Sequence, residues 1–118
     1  MKTVAKLLVE HKDKYFLQEL EGELSEYKAS KKLLKEIDEA YQHHFLEMCF
    51  SNLQSRKQFS HKGADLMIED WMNLTGLMQY LQKNYREDWV AIHDIIQLNL
   101  KEELMNVHYD IKIGRAHV

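Results

Sequence analysis

The chain has 118 residues, 45% of them hydrophobic and 30% charged, a length and balance that predict one folded domain with one core. Its formal net charge of −3, without a long lysine or arginine cluster, disfavours nucleic acid as a partner. No run approaches the roughly 20 apolar residues that span a bilayer, and no secretory signal opens the chain. With Cys49 as its one cysteine, an internal disulfide is excluded, so we expect a cytoplasmic protein without a membrane partner.

The chain has no proline and only four glycines. Proline interrupts helices and marks loops and sheet edges, so a chain without it has little irregular backbone. This composition predicts an all-α fold in which long helices are joined by short connections.

Two predicted helices occupy the first half of the chain, where apolar residues recur at helical spacing. The first covers residues 3–27. Ser30 offers an N-cap for the second, which covers residues 31–53. The residues predicted to face inward are Val4, Leu8, Tyr15, Leu17, Leu20, Leu24, Tyr27, Leu33, Leu34, Ile37, Tyr41, Phe45 and Met48.

Two further predicted helices follow a polar connection at residues 54–59. Ser60 is the expected N-cap of a helix over residues 61–83, and Asn84 with Glu87 resembles a capping box that starts a helix over residues 85–107. Four amphipathic helices of this length are expected to pack as an antiparallel up-down four-helix bundle. The inward-facing residues are predicted to be Met67, Trp71, Leu74, Met78, Leu81, Trp89, Ile92, Ile96, and Leu100 or Leu104.

Histidines fall one to each predicted helix, on or beside the apolar face. A bundle core that gathers imidazoles is a known way to build a metal site, and neutral imidazole binds iron, zinc and copper. The pattern therefore favours a metal site inside the bundle. The histidines concerned are His11, His43 or His44, His61 and His93.

These residues also resemble the hemerythrin-like family of four-helix metal proteins. His43 and Glu47 have that family's His-x-x-x-Glu spacing, His44 followed by phenylalanine echoes its His-Phe pair, and Trp89-Val90-Ala91-Ile92-His93 resembles the approach to its fourth-helix histidine. The chain departs from the family at two positions. Asp65 stands where the second histidine of the third helix belongs, and Leu98 stands where a final aspartate belongs.

The resemblance implies an iron site, mononuclear or degenerate rather than a complete di-iron pair, with Glu47 as a bridging carboxylate if two metals bind. It also implies oxygen or redox sensing, or iron storage, rather than catalytic turnover. The implied ligands are His11, His43, His44, Glu47, His61, Asp65 and His93.

Two other functions fit the sequence. One is a non-catalytic protein-interaction module, such as a regulatory or phage-encoded inhibitor protein, in which the acidic stretches Glu19–Glu26 and Glu36–Glu39 suit a basic partner; self-association into a homo-oligomer belongs to the same class. The other is a helical ribonuclease of the HEPN kind. Its Arg-x₄₋₆-His signature is matched loosely by Arg56 with His61 and by Arg86 with His93.

The last residues need separate treatment. The stretch 113–118, Ile-Gly-Arg-Ala-His-Val, resembles one reading frame of a short-read sequencing adapter, and the codon for Lys112 fits its first bases. We therefore expect a native domain over residues 1–111 and a non-native segment over residues 112–118.

Overall fold

A computed structural model describes residues 15–42, 45, 48, 49 and 60–112 of the chain. This part contains five helices and no strand, which confirms the predicted all-α class. None of the described helices is both long and apolar enough to cross a membrane. The helices are α1 (Tyr15–Leu24), α2 (Ser30–Tyr41), α3 (His61–Leu74), α4 (Leu77–Asn84) and α5 (Trp89–Lys112).

The longest helix, α5, organises the packing, because it contacts α1, α3 and α4. Helix α2 packs against α1 and α4. The predicted inward faces are largely confirmed, and Phe45 and Cys49, which follow α2, are also buried. The buried set includes Leu20, Leu24, Leu33, Ile37, Tyr41, Ile68, Trp71, Met72, Met78, Leu81, Ile92, Ile96, Leu100 and Leu104.

The predicted continuous helix over residues 61–83 is wrong, because it is broken between α3 and α4. The Thr75 hydroxyl donates a hydrogen bond to the carbonyl oxygen of Trp71 at 2.9 Å, and Gly76 adopts a left-handed φ of 80°. A left-handed glycine after a last turn is a common helix stop. Leu74, the last residue before the break, is 75% exposed and not inward-facing as predicted.

Of the three predicted N-caps, one is confirmed and two are wrong. Ser60 is confirmed, because its hydroxyl oxygen accepts a 2.9 Å hydrogen bond from the backbone N–H of Gly63. Ser30 is the first helical residue, and Ala29 precedes it as the cap. Asn84 is the last residue of α4 and donates its side-chain amide to the Tyr80 carbonyl at 2.9 Å, so it does not start the final helix, which begins at Trp89.

The expected start of the first helix, the connection at residues 54–59 and the adapter-like residues 113–118 lie outside the described residues.

Candidate functional site at His93

Three of the seven predicted metal ligands lie in the described part of the chain: His61, Asp65 and His93. The other four, His11, His43, His44 and Glu47, lie outside it, so their part in a metal site stays a prediction.

His93 lies in the second turn of α5 and is buried, with only 9% of its surface exposed. Its neighbours along the same helix explain the burial, since Ile92 and Ile96 are fully buried. The Trp89 ring meets the imidazole edge-on, with ring centroids 6.3 Å apart and an interplanar angle of 78°. The sequence prediction that this histidine faces the interior is therefore confirmed.

The two ring nitrogens of His93 have different surroundings. Nδ1 lies 3.0 Å from Oδ1 of Asp94, whose side chain is 68% exposed. A carboxylate oxygen accepts hydrogen bonds, so Nδ1 is the donor in this contact, and in the neutral imidazole Nε2 is then the acceptor. Nε2 is buried and has no hydrogen-bond partner among the described residues. Burying a polar ring nitrogen without a partner costs roughly 1–3 kcal/mol.

This arrangement is the one that metal-binding histidines adopt. A ligating imidazole almost always gives its other ring N–H to a carboxylate, a carbonyl or water, which fixes the tautomer and raises the basicity of the coordinating nitrogen. Asp94 supplies that carboxylate, and Nε2 of His93 is the nitrogen left to coordinate. The side chain is thus chemically suited to hold a metal.

Asp65 is engaged elsewhere. Its carboxylate pairs with the Lys101 ammonium, whose Nζ lies 3.2 Å from Oδ1 and donates a hydrogen bond to Oδ2 at 3.4 Å. The side chain of Gln97 donates to the backbone carbonyl of the same aspartate at 3.4 Å. Two successive turns of α5 therefore contact one residue of α3.

The structure does not bring the three described candidates together. The contacts of Asp65 with α5 are to Gln97 and Lys101, which lie one and two turns beyond His93. His61 was expected to line the interior, but it is exposed, because it is the first residue of α3 and lies at the end of that helix. Within the described residues, no three histidine, cysteine, aspartate or glutamate side chains form a group able to hold a metal.

Two buried polar residues of α5, Asn99 and Glu103, were not predicted. Asn99 donates its amide to Oε2 of Glu23 at 2.9 Å and to the Ile95 carbonyl at 2.8 Å. Each polar residue lies seven positions after a buried isoleucine, so extending the apolar stripe from Ile92 and Ile96 by two turns would have identified both as buried.

The surroundings of Cys49 disfavour a nucleophilic role for its thiol. Its side chain is fully buried, and its thiol approaches the Met67 carbonyl oxygen at 3.8 Å. Burial, and secondarily the charge of Asp70, raise the pKa of the thiol to about 12. The thiolate is the reactive form of cysteine, so this residue is a core residue and not a nucleophile.

The ribonuclease hypothesis pairs Arg86 with His93. In the structure His93 is buried, whereas Arg86 is exposed on the turn before α5. Arg56 lies outside the described residues.

No known protein family, curated protein or solved structure matches the chain. The hemerythrin-like resemblance therefore rests only on the residues given above.

Proposed function

We propose that this chain is a small metal-binding helical protein in which Nε2 of His93 is one of the ligands. The observation that carries the proposal is the buried Nε2 of His93, which has no partner among the described residues, in an imidazole whose Nδ1 is bonded to Asp94. The remaining donors in this proposal are His11, His43 or His44, and Glu47. His61 and Asp65 are left out, since one is exposed and the other is paired with Lys101.

The proposed metal is iron, because the spacing of the predicted ligands resembles that of hemerythrin-like proteins. Bound iron would supply oxygen binding or a redox change, which suits sensing or storage.

The whole chain is proposed to be an antiparallel four-helix bundle in which α3 and α4 together form one broken helix. The four-residue connection between α4 and α5, residues 85–88, supports an antiparallel arrangement of those two helices.

Elemental analysis and an ultraviolet-visible spectrum test the proposal, using protein purified from iron-supplemented cells. We expect about one or two metal ions per chain in the wild type. His93→Ala is expected to remove the metal, whereas His61→Ala, which deletes an exposed imidazole, is the matched control and is expected to retain it. A wild-type chain without metal, both as purified and after incubation with Fe²⁺ or Zn²⁺, would refute the proposal.

A second substitution separates coordination from packing. Asp94→Asn keeps the size of the side chain but weakens its hold on Nδ1 of His93. Loss of such a supporting carboxylate typically lowers metal affinity by about 10–100-fold. Because Asp94 is exposed, the free energy of unfolding of the metal-free protein should hardly change.

A protein-interaction module is the second candidate function. Glu36 and Glu39 of α2 line a surface cleft together with Thr75 and Gly76 at the break between α3 and α4. The glutamates of the stretch Glu19–Glu26 are all exposed. Both acidic surfaces suit a basic protein partner. Salt-sensitive binding of a basic peptide by the wild type, weakened by Glu36→Gln with Glu39→Gln, would favour this function.

A further inference from the structure

Two exposed leucines lie on the side of the molecule that points away from the core. Leu66 of α3 is 59% exposed and Leu98 of α5 is 51% exposed. Each lies about half a helical turn from the buried stripe of its own helix, which contains Ile68 and Trp71 in α3 and Ile96 and Leu100 in α5. We call the surface that carries both leucines the α3–α5 outer face.

The two leucines lie at the same level of this face. The side chain of Gln97 bonds to Asp65, and Leu98 and Leu66 are the next residues of the two helices. Lys101, one turn further along α5, contacts the same aspartate, and the connection between α4 and α5 is short. These contacts hold α3 and α5 side by side at this level, which places Leu66 beside Leu98.

Charged residues are arranged about this level by sign. Lys62 and Glu69 lie four residues before and three residues after Leu66. Asp94 and Lys101 lie four residues before and three residues after Leu98. Each helix therefore carries a lysine on one side of its leucine and a carboxylate on the other. These positions are roughly 4–6 Å along the helix axis from the leucines.

We propose that this face binds a second copy of the same chain. A two-fold axis that lies in the interface, perpendicular to the helices and at the level of the leucines, reverses the two ends. Lys62 then meets the partner's Glu69, while Lys101 stays bound to Asp65 of its own chain at 3.2 Å. Leu66 and Leu98 each meet their own counterparts, which is the pairing that an isologous dimer requires.

The next positions along α5 follow the same operator. Val90, which is 51% exposed, lies eight residues before Leu98, and the partly buried Met105 lies seven residues after it. The two-fold axis places Val90 opposite the partner's Met105, so an apolar residue meets an apolar residue beyond the charged pairs. A different protein partner would not require residues arranged symmetrically about Leu66 and Leu98. This symmetric arrangement is the reason for assigning the face to self-association.

Sedimentation velocity over a wide range of protein concentration tests the proposal. The wild type is expected to change from monomer to dimer with a single dissociation constant. Lys62→Glu and Glu69→Lys each replace two attractive contacts per dimer by repulsive ones, so each is expected to raise the dissociation constant at least about tenfold.

Mixing the two variants gives the sharper result. A heterodimer of Lys62→Glu with Glu69→Lys regains opposite charges at both contacts, so the mixture should dimerise although each variant alone does so poorly. The matched controls are Lys35→Glu and Glu39→Lys, which make the same charge changes on exposed positions of α2. Both controls should dimerise like the wild type.

The apolar centre is tested by Leu98→Asp, which should abolish dimerisation while circular dichroism shows unchanged helicity. Leu74→Asp is its control, because Leu74 is more exposed than Leu98 but lies away from the centre of the face. A wild type that stays monomeric at all concentrations overturns the proposal. So does a dimer that persists in Leu98→Asp, or two charge variants that fail to associate when mixed.

Discussion

The hydroxyl group of Tyr85 donates a hydrogen bond to the backbone carbonyl of Lys28, a residue 57 positions earlier in the chain. This bond joins the turn before α5 to the connection between α1 and α2. Burial raises the pKa of the Tyr85 hydroxyl above its ordinary value, with a smaller contribution from Tyr80. The group therefore stays protonated, and able to donate, throughout the physiological pH range.

Replacement of Tyr85 by phenylalanine is expected to lower the free energy of unfolding by about 1 kcal/mol, since a net hydrogen bond contributes about that much. Urea unfolding followed by circular dichroism measures it. Tyr80→Phe is the matched control, because that hydroxyl lies nearby on α4, and its loss should change stability by less than about 0.5 kcal/mol. Equal losses in both variants would show that the Lys28 contact contributes nothing.

The helices and their buried faces were predictable because a stripe of apolar residues at a spacing of 3.6 is itself the cause of helix packing. Trp71 illustrates this: its predicted inward position is confirmed, and it meets Phe45 edge-on with 4.8 Å between ring centroids. Which face of a helix is buried depends on the local spacing of apolar residues alone, so it can be predicted from a single sequence.

Helix ends were less predictable, because they depend on competition between neighbouring groups. Asn84 and Glu87 have capping-box spacing, but the Asn84 amide bonds back to Tyr80 within α4 instead. The break after Leu74 arises from the Thr75 hydroxyl and the left-handed Gly76, while the apolar spacing continues through Met78 into α4. The spacing therefore concealed the break.

The candidate site was predictable only in part, because ligands must converge across helices and a sequence does not give the register between them. His93 was correctly placed inside from its own helix. The pairing of Asp65 with Lys101 depends on the axial register of α3 relative to α5. No sequence pattern within either helix specifies that register.

Ala29 precedes α2 with a φ of 53°, a left-handed conformation that suits glycine better than alanine. Ala29→Gly should therefore raise the free energy of unfolding by about 0.5–1 kcal/mol. Gly76, at the start of α4, has a φ of 80° and open space where a Cβ would lie. Gly76→Ala should lower stability by about 1 kcal/mol through backbone conformation alone. Thermal unfolding should show these opposite signs; a loss in both variants would contradict the argument.

Cys49 should be inert towards thiol reagents in the folded protein. Its pKa of about 12 leaves little thiolate at pH 8, and its side chain is fully buried. Labelling with a chromogenic disulfide should be at least about 100-fold slower in buffer than in concentrated urea. Rapid labelling of the folded chain would show that the thiol is accessible.

The same thiol predicts a pH dependence of stability. Its folded pKa of about 12 lies above its ordinary value of 9.0, so the folded state holds the proton more tightly than the unfolded state. The stability that this contributes is fully present below about pH 9 and is lost as the pH rises towards 12. The stability difference between the wild type and Cys49→Ala should therefore shrink over that range and stay constant below it.

Asp65 separates the two roles that an acidic residue of α3 can have, ion-pair partner or metal ligand. In the structure its carboxylate is bound to Lys101 at 3.2 Å, and both side chains are partly buried. Asp65→Asn should thus lower stability by about 0.5–1 kcal/mol, and Lys101→Met should lower it by a similar amount. The double variant should lose less stability than the sum of the two single losses, because the two changes remove one shared interaction.

The metal content should be unchanged in all three variants, whereas His93→Ala is expected to remove the metal. If Asp65→Asn lost its metal as completely as His93→Ala, the aspartate would be a ligand, and binding of the metal would have to displace Lys101.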